Sequence, residues 1–397
     1  MIKLFHIFGN EPCPCKSGKK YKDCCKNRKN KNCENVEHYL SMVNKYSKKS
    51  QLKLCLYEGC NAKPKDIILA HALQKNRILK KIAHKNRVLM QDFSGKPTML
   101  DMGRGEKEPF YLLEEVNIKK ATAFRCFCGK HDDELFQKIE KQQHSFEKMT
   151  EEQKFLFAYK TFSFEHYKDI SVRRFHALMC KDFPENFKNP IFIYKYRNAL
   201  LKADETEYYW RRFGECLRDR NFGELFTYTM KLPYPIGVSG YMSISPPFDI
   251  NGKRIKGLIG IKKRLKRLFI TIVPDETCSY ILFSGFKDEL TSYGQYFDSL
   301  SSCNDELIKV YLNMFLPLYS ENLIINPLLH DSFSEEGQMM LQYLMTEVSQ
   351  RRTSRLLTSL QNSLIEINKK GFNTDVLKTV PYNLFKNIEE LSVRNVC

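Results

Sequence analysis

Four cysteines crowd one short stretch of this chain, "PCPCKSGKKYKDCC", at positions 13, 15, 24 and 25. Two close pairs of thiols are what a tetrahedral zinc ion needs, with four thiolates at about 2.3 Å. The eight residues between the pairs include Gly18, which permits the turn that brings Cys24 and Cys25 back onto Cys13 and Cys15. Pro14 stiffens the first pair. The segment is too short to build its own apolar core, so a bound metal must supply its folding energy. The nearby Lys16, Lys19, Lys20, Lys22 and Lys26 offset the double negative charge of a zinc–tetrathiolate centre and favour the thiolate form.

The stretch "NEPCPCKSGKKYKDCC" resembles the SEC-C motif, the zinc-binding tail first described at the C-terminus of the SecA translocase ATPase. All four ligand positions match, and Lys16 stands where the family usually has glycine. The resemblance covers about twenty residues. It implies zinc and a docking role, because the module recurs as an accessory on unrelated proteins, and it implies nothing about translocation.

A second constellation lies downstream. Cys55-x4-Cys60 forms one knuckle, and Cys128-x2-His131 enters an expected helix marked by Asp132, Asp133 and Glu134 in its first turn and Leu135, Phe136 and Ile139 at helical spacing. A knuckle, a hairpin region and a ligand pair at a helix start form the treble-clef arrangement, with Cys55, Cys60, Cys128 and His131 as zinc ligands and Cys126 able to replace one of them. The competing expectation is core cysteines with His131 on the surface. Between the pairs, "DIILAH" reads as a short buried strand ending at His71, "QKNRILKKIAH" as a helix with Ile78, Leu79 and Ile82 inward, and "RVLMQDF" as a strand.

A strand ending in His between two zinc knuckles resembles the His-metal (HNH) nucleases. That resemblance implies a general base at His71 and a ligand for catalytic Mg²⁺ or Mn²⁺ at Asp132. The chain departs from the family at Ala70, where active members carry a metal ligand, and Asn117 lies too far upstream to match the family's middle Asn. The plainer reading has His71 capping its strand or orienting a neighbour.

These groups sit in a strongly uneven chain. Of 397 residues, the first hundred hold 22 Lys and Arg against 7 Asp and Glu, while the rest hold 42 against 39. Basic character therefore belongs to the cysteine-rich end, and an acidic partner is expected: nucleic acid first, an anionic membrane surface second. No run of 18 uncharged apolar residues predicts a membrane span, and the apolar N-terminal patch is too short for a secretory signal. Clustered cysteines without a secretory signal point to metal rather than disulfides, and to a cytoplasmic protein. The stretches "AHALQKNRIL" and "FCGKHDDELF" together with the SEC-C segment resemble uncharacterised bacterial proteins, which implies a bacterial or phage-associated origin and no particular activity. Cys180, Cys216, Cys278, Cys303 and Cys397 are isolated and read as ordinary thiols.

The expected fold is α+β. A SEC-C module (1–35) and a treble-clef-like zinc domain (51–145), with a hinge at 44–51, precede an α+β domain of unknown role (146–397). In that last part, helix-like segments carry a Tyr and Phe stripe, and four strands follow in "ELFTYTMKL", "GVSGYMSIS", "RLFITIVP" and "SYILFSGF". Pro274 and Asp275 would turn a hairpin, and helices are expected near 287–299, 303–318, 333–350 and 352–369. His166 and His176 read as core residues. No phosphate loop or nucleophile elbow is present, and "KKRLKRL" (262–268) and "RRTSR" (351–355) are the downstream basic patches. The expected function is zinc-dependent binding of nucleic acid or a macromolecular partner. The rivals are a divergent HNH-like nuclease and a protein-docking adaptor.

Overall fold

The computed structural model describes residues 5–92, 95–101, 107–141, 146–257, 264–320, 322–350, 361–366 and 380–388, with Thr358, Lys369 and Leu391 singly. After the first cysteine group come α1 (Val36–Ser50), β1 (Ala70–His71), a wide helical turn at Lys75–Leu79 running into α2 (Lys80–Ile82), β2 (Arg87–Gln91), β3 (Thr98–Asp101), β4 (Lys107–Phe110), β5 (Leu113–Asn117), β6 (Ala123–Phe124) and α3 (Gly129–Glu140). Two long helices follow, α4 (Glu151–Asp182) and α5 (Pro190–Arg218). Then come β7 (Leu225–Leu232), β8 (Val238–Ile244), β9 (Leu268–Pro274), β10 (Ser279–Phe286), α6 (Leu290–Ser302), α7 (Asp305–Tyr319), β11 (Leu323–Ile325), α8 (Pro327–Asp331) and α9 (Glu335–Gln350).

The helix starts follow local chemistry. Thr150 and Gln153 form a reciprocal capping box at the head of α4, and Asn189 caps α5 just before Pro190, whose missing N–H is no loss at a first helical position. The centre of α4 is buried all round, from Phe155 to Phe164, because α3, α5, β8 and β9 all pack against it. A helix apolar on every side belongs inside a large core.

The main sheet has seven strands in the order β5-β2-β11-β8-β9-β10-β7, antiparallel at every neighbouring pair. β9 and β10 are buried throughout, so their residues alternate between two cores rather than between core and solvent. Ile270 and Ile272 face the core shared with α6, α7 and α9, whereas Phe269 and Val273 face the core of α3, α4 and α5. Mixed helix and antiparallel sheet is the expected class, and β7 to β10 fall on the four expected strands, with Asp275 N–H donating to the Cys278 carbonyl in the turn after Pro274. Helices α6, α7 and α9 fall close to the first three expected spans. Of the fourth, residues 361–366 are helical, while the "RRTSR" patch and Cys397 lie outside the described residues.

Three expectations change. The sheet crosses the expected boundary at 146: β2 and β5 come from the cysteine-rich third, and β11 joins them to β8 through Ile325 opposite Leu89. Residues 44–50 are not a hinge but the second half of α1, with Val43 and Tyr46 buried against α4. The strand at His71 is only two residues long, and Ile68 and Leu69 before it are exposed. Among the described residues no helix is long and apolar enough to cross a membrane.

Candidate metal centres

The first cysteine group is built by a tight loop. The Cys13 N–H donates to the Lys19 carbonyl and the Tyr21 N–H to the Glu11 carbonyl, which folds the second pair onto the first. Gly18 turns at φ +79°, as the spacing demanded. Lys16 also takes a left-handed conformation, φ +59°. The family's glycine position therefore has a physical reason, and a lysine there carries strain of about 1 kcal/mol.

Sulfur–sulfur separations are 3.3 Å for Cys13–Cys15, 3.6 Å for Cys15–Cys24 and 3.7 Å for Cys24–Cys25. A tetrahedron with metal–sulfur bonds of 2.3 Å has edges of about 3.8 Å. These three edges are close to that length, all four sulfurs lie within 4.8 Å of one another, and the cysteines are free thiols, so the group is compact enough to share one ion. Burial raises the Cys15 thiol, but hydrogen bonds to Ser17 and Cys13 outweigh it and bring it down to about 7. Burial and the neighbouring Cys180 push Cys25 far up, so a divalent cation would displace its proton on binding.

The module is not free-standing. Ile7, Cys13, Tyr21 and Cys25 share a small core with Cys180 of α4 and with Phe187 and Ile193 beside the start of α5. Arg197 pairs with Glu11 and donates to the His6 carbonyl at 2.9 Å. Cys180, read from sequence as an ordinary thiol, is thus a fully buried fifth sulfur beside the group.

The second group joins Cys55, Cys60, Cys128 and His131. Cys55 Sγ lies 3.5 Å from His131 Nδ1, Cys128 Sγ 3.3 Å from the same nitrogen, and Cys60 Sγ 4.0 Å from Cys128 Sγ. Tetrahedral zinc with three sulfurs and one imidazole requires about 3.6 Å and 3.8 Å for these edges. Backbone pairing makes the fit: the Leu54 and Leu56 N–H groups donate to the Arg125 and Cys126 carbonyls, the Ile68 N–H to Phe127, and Ala70 pairs with Phe124. Gly59 turns the knuckle at φ +76°. Tyr57 stacks on His131 with centroids 4.0 Å apart, and Trp210 Nε1 donates to the Leu56 carbonyl at 2.7 Å. Cys126 is fully buried in the α3–α5 core and is not part of this group.

Among the described residues these are the two sets whose donor atoms lie close enough to share an ion. Cys₄ and Cys₃His donor sets suit zinc.

His71 and Asp132 both line a pocket of about 170 Å³, together with Lys75 and Glu140. Their donor atoms do not form a metal-sized cluster. His71 Nε2 lies 3.2 Å from the Ile118 carbonyl, which makes Nε2 the donor and leaves Nδ1 the lone pair. Burial holds His71 below the ordinary histidine range and raises the Asp132 carboxyl, whose Oδ1 has no hydrogen-bond partner. Glu140 was not legible as a site residue, since it sits at the far end of α3 and only two further turns of helix bring it back to Asp132.

The downstream basic patch is spoken for. Arg264 reaches Glu289 at 3.1 Å, Lys266 donates to Ser292 Oγ at 2.6 Å, and Arg267 binds Glu205 at 2.7 Å. Residues 262 and 263 lie outside the described residues. Charge density in sequence does not reveal that Glu205 of α5 and Glu289 before α6 answer the two arginines of this patch in the fold.

Residues 10–27 match the family model of the SEC-C motif. No curated protein and no solved structure matches the chain.

Proposed function

We propose that the protein binds two zinc ions and uses the surface around the first to hold the phosphate backbone of a nucleic acid. One observation carries this reading: Lys16, Lys19, Lys20, Lys22, Lys26, Arg28 and Lys29 are all exposed, and none has an ion-pair partner among the described residues. Lys31, next in the run, reaches Asp182 at 3.7 Å. The field extends onto α4, because burial and then the charges of Arg173 and Arg174 hold the Lys16 ammonium below the usual lysine range. Exposed cations this dense along a short stretch repel one another, and a nearby anion relieves that repulsion. The order of the second group, a knuckle, two paired segments and a helix, supports the treble-clef reading of 51–145, and the described cysteines, all free thiols, accord with a reducing cytoplasm.

Backbone binding has a signature in salt. For 4–8 phosphates the log–log slope of affinity against salt is roughly −4 to −7 on duplex DNA. Full-length, zinc-loaded protein should show it, and Lys19→Gln with Lys20→Gln and Lys22→Gln should flatten the slope by about three units. Absence of salt-sensitive binding to DNA or RNA would hand the module to the docking-adaptor reading. Lys16→Gly separates two effects with opposite signs: stability rises by about 1 kcal/mol as the left-handed strain goes, while nucleic-acid affinity falls and the slope flattens by about one unit.

A second reading is supported by the shared pocket of His71, Asp132 and Glu140. There a neutral His71 would accept a proton from water, and Mg²⁺ or Mn²⁺, which keeps several of its own waters, would lean on the carboxylates. If this holds, His71→Ala lowers Mg²⁺- or Mn²⁺-dependent cleavage of plasmid or single strands by 10²–10⁴-fold at unchanged zinc content. No cleavage by wild type, or equal cleavage by both, returns His71 to bonding the Ile118 carbonyl and nothing more.

A further inference from the structure

Lys16 stands in a costly position. Its φ of +59° is left-handed, where a glycine would sit without strain. Backbone strain that persists in a fold is a pointer to a task for the side chain. The residue is exposed and follows Cys15 directly.

Two arginines of α4 share its surroundings. Cys180 packs with Cys13 and Cys25, which fixes the side of α4 that carries the cysteine loop. Arg173 lies seven residues before Cys180, two helical turns or about 10 Å along the same side, and Arg174 adjoins it. These arginines are the charges that bear on the Lys16 ammonium. Both are half-buried. Arg173 makes no hydrogen bond or ion pair with any described residue, and the Arg174 guanidinium has one long bond, 3.5 Å to the Lys49 carbonyl. The Nε of each is buried without an acceptor. None of the three cations pairs with a carboxylate among the described residues. A guanidinium partly withdrawn from water gains more from an anion than one in open solvent does.

The charge count selects the anion. A backbone phosphodiester brings one negative charge, whereas a phosphate monoester brings about two, with three oxygens free to accept. Three cations gathered at one place suit the monoester, while the exposed row from Lys19 to Lys29 suits a string of diesters. We propose that Lys16, Arg173 and Arg174 form a binding site for a phosphate monoester, the terminal phosphate of a nucleic-acid strand whose backbone lies on the lysine row. This rests on the nucleic-acid reading above and adds to it a preference for strand ends.

Full-length, zinc-loaded protein is titrated, by fluorescence anisotropy at several salt concentrations, with short single strands of one sequence that carry a phosphate at the 5′ end, at the 3′ end or at neither. A phosphate at one of the ends should tighten binding about tenfold, the scale of a charge-assisted contact. Arg173→Gln should bring that ratio close to one, with zinc content and melting temperature at wild-type values. Lys19→Gln should weaken all the strands alike and keep the ratio. Equal affinity for the three strands, with salt-sensitive binding intact, overturns the end site and leaves backbone binding standing; no binding of any strand overturns both. A phosphoserine peptide that binds more tightly than the phosphorylated strands would give the site to a protein partner instead. Loss of zinc from Arg173→Gln would assign the arginine to balancing the thiolates, and would overturn the proposal as well.

Discussion

Cys128→Ser is expected to halve the zinc content, from two ions per chain to one, and to destabilise the whole protein by on the order of 5 kcal/mol, a fraction of the ~10–16 kcal/mol that a structural zinc contributes. The effect is large because the second group is stitched into the main core. Cys128 starts α3, its neighbours Cys126 and Phe127 are fully buried, and Trp210 of α5 holds the knuckle carbonyl of Leu56. Loss of Cys15 should act differently. The first group shares only a small core with the ends of α4 and α5, so Cys15→Ser should release residues 9–26 and leave the seven-stranded sheet intact. Elemental analysis gives the stoichiometry, and urea unfolding followed by hydrogen exchange gives the extent. A Cys128→Ser protein with two zincs and the wild-type midpoint would remove the metal from the second site.

Arg267→Met is the second change with a large expected effect. The Arg267 guanidinium is buried, donates to the Glu205 carboxylate at 2.7 Å and to the Ser243 carbonyl at 3.0 Å, and so ties α5 to β8 and β9. Burial alone would disfavour its charge, but Glu205 more than restores it. Removing the cation leaves Glu205 buried beside the chain, still accepting from the Leu265 N–H at 3.1 Å, with its charge uncompensated. A buried partner stranded in this way costs about 3–5 kcal/mol. The double change Glu205→Leu with Arg267→Met should recover much of that loss, because a well-packed apolar pair can replace a buried ion pair. Urea midpoints of the two single variants and the double variant complete the cycle. If Arg267→Met alone is neutral, the pair does not hold the helix to the sheet.

What the sequence revealed depended on how local the information was. The first cysteine group is specified within thirteen positions, and both its clustering and the turn at Gly18 could be read directly. The second spans some seventy residues, yet its pieces carry local marks, a knuckle with Gly59 and a ligand pair at a helix start, so the set could still be assembled. β11 could not. Its three residues, Leu323 to Ile325, are too few to show an alternating pattern, and only tertiary pairing makes them the strand that links two parts of the sheet. Cys180, Arg173, Arg174 and Glu140 were invisible for the same reason, since each gains its meaning from a neighbour far away in the chain. In the basic patch at 262–268, sequence shows the charge of Arg264 and Arg267 but not the buried Glu289 and Glu205 that pair with them.

The central position of β11 also sets an order of events during synthesis. Leu89 pairs with Ile325, which is made 236 residues later. At ~5–20 residues per second, the nascent chain waits roughly 12–47 s between making one and the other. Throughout that interval one side of β2 has no partner, and an open strand edge invites pairing with another chain. A fragment ending near residue 146 would keep that edge open permanently, so cutting the lysine-rich third away from the remainder would yield an aggregation-prone half-sheet rather than a working module.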